Sequence, residues 1–248
     1  MSVAPAPLHD AVDEARRVLA AAAGLRIRLL GGLAIAVSLP HDPLLPRTYN
    51  DIDFITARGE GPKAVKLFDD LGYVGDHQFN GLNGHRRLLF YDTHNDRRVD
   101  VFVGRFEMSH AWPLENRLTV TEGTIPLSDL LLTKLQIFAL NEKDQRDIVN
   151  LLHGHKLSEE DAGGINVRYV AELCAGDWGL WRTATGNLER ARAALPRFGL
   201  VQQDEALVTS RLDDVRKRID AEPKSRKWKL RARVGERVQW YEEPEEVG

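Results

Sequence analysis

Two aspartates stand one residue apart inside an apolar run, in the segment "DIDFIT" at residues 51–56. On a β-strand, residues i and i+2 point to the same face, so Asp51 and Asp53 would lie side by side while Ile52 and Phe54 turn toward the core. Like charges held that close repel one another unless they share a cation. Because oxygen ligands suit hard divalent ions, the pair predicts a site for Mg²⁺ or Mn²⁺.

A third carboxylate lies in "RRVDVFVG", where Asp100 stands between Val99 and Val101 on another predicted strand. If this strand pairs beside the first, three acids converge at one edge of the sheet. That layout is typical of two-metal phosphoryl transfer, in which the metals bridge the phosphates and polarise the attacking hydroxyl. Asp100 could also accept the proton of that hydroxyl.

Gly31 and Gly32 end the predicted strand "RIRLL" and precede "LAIAVSL", which we expect to form a buried helix. Glycine lets a phosphate approach the backbone closely, and the start of a helix supplies unpaired N–H groups and partial positive charge. Each piece has a simpler explanation, since a double glycine is commonly a turn and an isolated DxD pair is commonly solvated or capping. The ordered set of strand, glycines, helix and carboxylate strands is what favours a phosphate site.

The elements that must position these residues alternate between strand and helix in the first half of the chain and are mostly helical afterwards. This pattern predicts an α/β (α+β) fold, with a mixed-sheet domain over residues 1–125 and a mostly helical domain over residues 126–248. Among the individual elements we expect a hairpin at 117–127, a helix at 128–141, a capped helix start in "LSEEDA" at 157–162 and a helical stretch at 158–220.

Composition leaves the function class open. The chain has 248 residues, 43% of them hydrophobic, and a formal net charge of −3, which is ordinary for a globular protein. A nucleic-acid partner would therefore need a local basic patch. Residues 224–237 carry seven Lys or Arg and one acid, with Trp228 and Trp240 nearby. This segment could hold RNA phosphates, or it could be a solvated pair of surface strands.

The single cysteine, Cys174, excludes an intrachain disulfide and fits a reducing cytoplasm. The longest apolar runs fall short of the roughly 20 residues that span a bilayer. We therefore expect a cytoplasmic protein without a membrane segment.

The segments "GGLAIAV" and "RTYNDIDF" resemble the signature of the nucleotidyltransferase (polymerase beta-like) superfamily. The resemblance is closest to the AbiEii-type toxin branch, which has an arginine four residues before the first Asp, as Arg47 is here. It extends to Lys134 in "LLLTKLQ" and to "EKDQRDIVNLL", which is similar to the KDxxD-type helix of that branch. In total it covers roughly residues 25–152.

The resemblance implies that a nucleoside monophosphate moves from an NTP to an acceptor hydroxyl, with release of pyrophosphate and with Mg²⁺ or Mn²⁺ as cofactor. It implies that the metal ligands and catalytic carboxylates are Asp51, Asp53 and Asp100. The glycines Gly31 and Gly32 would seat the nucleotide.

The resemblance also assigns roles to three residues outside the carboxylate set. Lys134 would donate to the triphosphate, Arg47 would clamp a phosphate, and Asp147 would orient Lys134 or contact the nucleotide sugar. Each has an alternative: Lys134 as an exposed helix lysine, Asp147 as ordinary helix-surface charge, and Arg47 as an ion-pair partner of Asp51 or Asp53.

RNA, tRNA or a small molecule would be the acceptor, and the branch suggests the toxin of a toxin–antitoxin system with an antitoxin protein as partner. An aminoglycoside- or lincosamide-type resistance enzyme is the alternative enzyme. A non-catalytic module that binds a partner protein, and a metal-dependent phosphatase or nuclease, are alternatives of other classes.

Overall fold

The computed structural model describes residues 6–243, which form two compact units. The sheet unit contains the described residues up to Ser38, together with Thr48–Glu107 and Ala111–Pro126. The helical unit contains Leu39–Arg47, Met108–His110 and the described residues from Leu127 onward. About 52% of the chain is helix and 15% is strand, with one mixed five-stranded sheet, so the predicted α+β fold class is confirmed.

The sheet unit alternates helices and strands. Its elements are α1 (Ala11–Ala21), β1 (Ile27–Leu30), α2 (Gly31–Ser38), β2 (Asp51–Thr56), α3 (Gly61–Asp70), β3 (Val74–Gly75), α4 (His77–Asn83), β4 (Arg87–Asp92), β5 (Arg97–Val103), β6 (Arg105–Glu107) and β7 (Ala111–Pro113). The main sheet has the strand order β1-β2-β5-β4-β3, and β6 pairs with β7 in a small hairpin.

Strands β2 and β5 are the parallel neighbours at the centre of the main sheet, while the other pairs are antiparallel. Their register sets Asp53 opposite Asp100 and Asp51 opposite Arg98. Because side chains alternate between faces along a strand, these four residues share one face of the sheet.

The opposite face of the sheet is the apolar core of this unit. Phe54 of β2 and Phe90 of β4 both pack against Phe68 of α3, with ring centroids 5.7 and 4.6 Å apart. All three rings are fully buried. Burial of this face fixes the phase of each strand, and the carboxylates must therefore point the other way.

The helical unit contains α5 (Leu127–Leu135), α6 (Glu142–Gly154), a two-residue strand pair β8 (Leu157–Ser158) and β9 (Ile165–Asn166), α7 (Val167–Gly176), α8 (Trp178–Ala194), α9 (Gln202–Ala221) and α10 (Arg226–Val234). Helix α6 begins with a capping box, in which the Asn141 side chain accepts from the Asp144 amide and the Asp144 carboxylate accepts from the Asn141 amide. This box fixes the start of the predicted "EKDQRDIVNLL" helix.

The hairpin predicted at 117–127 is wrong. A short 3₁₀ helix, Glu115–Arg117, is followed by turns, and the chain then pairs with β1. The Leu29 amide donates to Gly123 O at 2.8 Å, and the Ile125 amide donates to Leu29 O at 3.0 Å. The segment thus pairs the Leu29 N–H and C=O groups at the outer edge of β1, which a local hairpin would leave without hydrogen-bond partners.

Two helix predictions in the second half also need correction. Helix α5 ends at Leu135 and not near 141, because the side-chain Nδ2 of Asn187 donates to the carbonyls of Leu135 and Ile137 at 2.9 and 2.7 Å. The expected helix start at 157–162 is a short strand followed by a bend. The next helix begins only at Val167, where the Asn166 side chain caps it.

The basic segment is a helix, so the strand alternative for residues 224–237 is wrong. Ser225 accepts a hydrogen bond from the Trp228 amide at 3.1 Å and starts α10. A serine at this position supplies the first unsatisfied amides of a helix with an acceptor. Among residues 6–243, no helix has the length and apolarity needed to cross a membrane.

Candidate active site

The carboxylates predicted from the sequence lie together on the polar face of the main sheet. Asp53 and Asp100 are cross-strand neighbours, and Asp51 is two residues before Asp53 on the same face. Their exposure differs: Asp51 is exposed, Asp53 is half-buried and Asp100 is only 2% exposed. The site therefore has an accessible end at Asp51 and a buried end at Asp100.

Two arginines hold the buried end. Arg87 Nε lies 2.7 Å from Asp100 Oδ1, and Arg98 Nε lies 3.1 Å from Asp100 Oδ2. Arg98 is two residues before Asp100 on β5, and Arg87 comes from β4, where its guanidinium sits 5.4 Å from the Phe102 ring centroid. Since a buried carboxylate is costly without a partner, these arginines explain how Asp100 can lie inside the sheet unit.

Gly31 makes room for Asp53. Its φ is +74°, a conformation that L side chains rarely adopt, and a Cβ built on it would lie 2.3 Å from Asp53 Oδ2. No residue with a side chain fits there without moving the carboxylate. The first glycine of the pair and the second aspartate of the DxD segment are therefore parts of one packed arrangement, at the point where β1 turns into α2.

The residues present fit a hard divalent cation at the accessible end. Asp51 and Asp53 offer carboxylate oxygens on one face, and Mg²⁺ usually keeps several waters beside one or two protein carboxylates. Asp100 has its charge balanced by Arg87 and Arg98, and it can join such a site only by releasing one of them. No group of three His, Cys, Asp or Glu within residues 6–243 is arranged to hold a metal ion.

A cavity of about 470 Å³ opens beside Asp51. It lies wholly within the sheet unit and is lined by Asn50, Asp51, Tyr91, Asp92, Thr93, Asp96, Arg97 and Arg98. Among these residues, Arg97 and Asp92 form a buried ion pair at 2.6 Å. The volume is in the range of small-ligand sites, and every residue that lines it carries a polar or charged group.

The later motif residues form a second cluster inside the helical unit. Lys134 Nζ lies 2.9 Å from Asp144 Oδ1 and 2.9 Å from Asp147 Oδ2. Arg47 grips the same Asp147 through two bonds, Nε to Oδ1 at 2.9 Å and Nη2 to Oδ2 at 3.0 Å. Lys134, Asp144 and Asp147 are buried, so neither the exposed-lysine nor the surface-charge alternative describes them.

Burial by itself would lower the pKa of Lys134, but the carboxylates of Asp147 and Asp144 outweigh it and the net pKa is raised. Lys134 is therefore a charged ammonium held by two carboxylates. Of the roles weighed for Asp147, orienting Lys134 agrees with these contacts. Asp147 is a carboxylate partner of Arg47 that the sequence did not suggest.

The sequence reasoning missed Arg87 and Arg98. Arg98 could have been found, because it stands two residues before Asp100 on an otherwise apolar strand and must share its face. Arg87 could not have been found in this way, since its contact depends on the register of β4 against β5.

Comparison with protein-family models, with curated proteins and with solved structures finds no match. The function of the chain is therefore inferred from the chemistry of the carboxylate face and from the motifs.

Proposed function

We propose that this chain is a nucleotidyltransferase that uses Mg²⁺ or Mn²⁺ to move a nucleoside monophosphate from an NTP to an acceptor hydroxyl, releasing pyrophosphate. The observation that carries the proposal is the fit of Gly31 against Asp53 Oδ2. It joins the glycine motif and the DxD motif in one site, as a phosphate-binding turn beside metal-binding carboxylates requires.

Asp51 and Asp53 would hold the cation, which supplies charge neutralisation on the phosphates and polarisation of the acceptor hydroxyl when bound. Gly31 fixes the position of Asp53. Asp100 holds the guanidinium groups of Arg87 and Arg98 on the same face. Their positive charge is complementary to the negative charge of a triphosphate. For Asp100 itself to act as a ligand or to accept the hydroxyl proton at Oδ2, Arg98 must first move from that oxygen.

The assignments of Gly32, Arg47, Lys134 and Asp147 to nucleotide binding remain predictions from the resemblance. Lys134 and Arg47 already neutralise two buried carboxylates. A role for either in binding a triphosphate would require it to exchange a carboxylate for a phosphate oxygen.

RNA or tRNA is the acceptor that we propose first, with a small molecule as the other substrate class. The toxin of a toxin–antitoxin system is the biological setting that the resemblance suggests, with an antitoxin as partner. An aminoglycoside- or lincosamide-type enzyme would share the site chemistry and differ only in acceptor.

One observation favours a second function of another class, a non-catalytic module that binds a partner protein. Both oxygens of Asp100 are engaged by arginines, so the three acids do not act as an open triad. In that case the carboxylate face would be part of the fold but would not catalyse nucleotidyl transfer.

Incubation with each α-labelled NTP, Mg²⁺ or Mn²⁺ and total RNA separates these functions. We expect label in RNA, and a loss of about 10²- to 10³-fold in Asp51→Ala, a size typical of removing one electrostatic element of an active site. Asp69→Ala removes an exposed acid of the same unit and should retain full activity.

Label that appears only with an aminoglycoside or lincosamide would support the resistance enzyme. Absence of label with every NTP, together with absence of Mn²⁺ binding, would reject the enzyme and leave the partner-binding module.

A further inference from the structure

Helix α10 and the 3₁₀ turn after it, Gly235–Arg237, present a surface rich in unpaired cations. We call it the basic surface, and its members are Arg226, Lys227, Lys229, Arg233 and Arg237. All five are exposed, and none forms an ion pair with an acid among residues 6–243. The one acid of the segment, Glu236, is paired with Arg182 of α8.

The neighbouring helix α9 shows that unpaired cations are not the rule in this unit. Arg216 pairs with Glu189 and Asp220, and Lys217 pairs with Asp214. An ordinary solvated helix of this chain thus intersperses both signs of charge, whereas α10 carries one sign.

The inner side of α10 is fixed by aromatic packing. Trp228 lies edge-on to Trp181 with ring centroids 5.1 Å apart, and the Arg231 guanidinium sits 4.7 Å from the Trp178 ring centroid. Arg231 also donates to the carbonyl oxygens of Gly235 and Val238. These contacts turn the tryptophan inward, so Trp228 is an anchor and not a platform for stacking bases.

Anchoring of the inner side determines what points outward. At about 100° per residue, Arg226, Leu230 and Arg233 fall on the side opposite Trp228, and Lys227 and Lys229 lie at the two edges of that side. Leu230 is 61% exposed in the middle of these cations. The helix is about 13 Å long, so it spans two to three consecutive phosphates of a nucleic acid strand.

We propose that the basic surface binds the phosphate backbone of single-stranded RNA without reading its sequence. Five cations that lack acids of their own are complementary to a polyanion, and release of counterions from that polyanion drives binding. The chain as a whole has a net charge of −3, so the positive charge of the basic surface is a local feature.

An anionic membrane is a weaker candidate for the same surface. A helix that lies on a bilayer inserts a continuous apolar face. In α10 the apolar inner side is occupied by Trp181 and Trp178, which leaves only Leu230 and Val234 to face outward. Phosphate contacts need no such face.

The proposal does not rest on the nucleotidyl-transfer activity, and its test contains neither NTP nor divalent metal. Fluorescence anisotropy with the full chain and a labelled RNA of about 20 nucleotides measures affinity from about 50 to 200 mM salt. The variant Arg226→Gln/Lys227→Gln/Lys229→Gln/Arg233→Gln removes four clustered charges. The matched control Lys63→Gln/Lys143→Gln/Lys156→Gln/Arg168→Gln removes four exposed charges scattered over other elements.

We expect the clustered variant to bind RNA more than tenfold more weakly at low salt, and its slope of log K against log salt to fall by about 2, at roughly 0.7 for each of the two to three phosphates that the helix spans. The scattered control should stay within about twofold of the wild type. Hydrogen exchange of the wild type should show protection of residues 226–237 when RNA is added.

Three outcomes would overturn the proposal. One is equal weakening in both variants, and another is absence of RNA binding by the wild type. The third is binding to phosphatidylserine vesicles or polyglutamate that the clustered variant loses while RNA binding stays unchanged. Absence of RNA binding would also argue against RNA as the acceptor, whereas label transfer to a small molecule is measured independently of the basic surface.

Discussion

Two charged clusters of the molecule differ in exposure. On the sheet face, Arg87 and Arg98 hold the buried Asp100, while Asp51 of the same face is open to solvent. In the helical unit, Asp144 and Asp147 meet Lys134 and Arg47, and all but the arginine are buried. A buried ion pair is costly to break, whereas an exposed carboxylate can take up a cation from solvent.

The largest expected contrast is in stability. Asp147→Asn should lower the free energy of unfolding by about 3–5 kcal/mol, because Arg47 and Lys134 would lose the carboxylate they share in a buried site. Asp51→Asn changes an exposed acid and should shift stability by less than about 0.5 kcal/mol. Urea unfolding of both variants measures the difference. Equal losses would show that the sheet face is as structural as the helical cluster.

The next effect concerns the glycine that seats Asp53. Gly31→Ala should destabilise by about 2–3 kcal/mol, from backbone strain at positive φ plus displacement of the carboxylate. Gly59→Ala is the matched control, because Gly59 has φ +83° and a Cβ there would meet nothing within 4 Å. It should cost about 1–2 kcal/mol. A Gly31 variant no less stable than the control would mean that Asp53 is not held as described.

A third test asks whether Asp100 can join a metal site. Arg98→Gln removes a cation from the carboxylate face and frees one Asp100 oxygen, so Mn²⁺ should bind about tenfold more tightly, as judged from the Coulomb energy of a nearby charge. Calorimetry or spin resonance of Mn²⁺ measures this. Arg26→Gln, an exposed arginine of the same unit, should leave the affinity unchanged. Unchanged affinity in both variants would remove Asp100 from the proposed metal site.

The smallest effect is the pH dependence of the helical cluster. Because the pKa of Lys134 is raised above its ordinary 10.5 in the folded chain, its contribution to stability is fully present below pH 10.5. That contribution is lost as pH rises through the raised pKa. The stability gap between wild type and Lys134→Met should therefore be larger at about pH 9 than at about pH 11. A gap that widens with pH would contradict the ion-pair assignment.

The local sequence pattern was sufficient to predict which face of the sheet carries the aspartates. The alternation in "DIDFIT" and "RRVDVFVG" fixes which side chains face the core, and parallel pairing of the two strands then sets Asp53 beside Asp100. The local pattern was insufficient where a contact with a residue far away in sequence determines the structure. Arg47 and Asp147 are 100 residues apart in sequence, and the early end of α5 depends on Asn187, 52 residues away from Leu135. No periodicity or capping rule within either segment contains that information.

The hydrogen bonds between Leu29 and the segment around Gly123 have a consequence for how this protein meets others. Strand β1 would otherwise offer an open ladder, and the opposite border of the sheet, β3, is only two residues long. Neither border of the main sheet, within residues 6–243, presents the extended template on which a foreign strand could add itself. Addition of a foreign strand at the borders of the main sheet is therefore disfavoured, and recruitment of another chain to this unit would use side chains on its faces and helices.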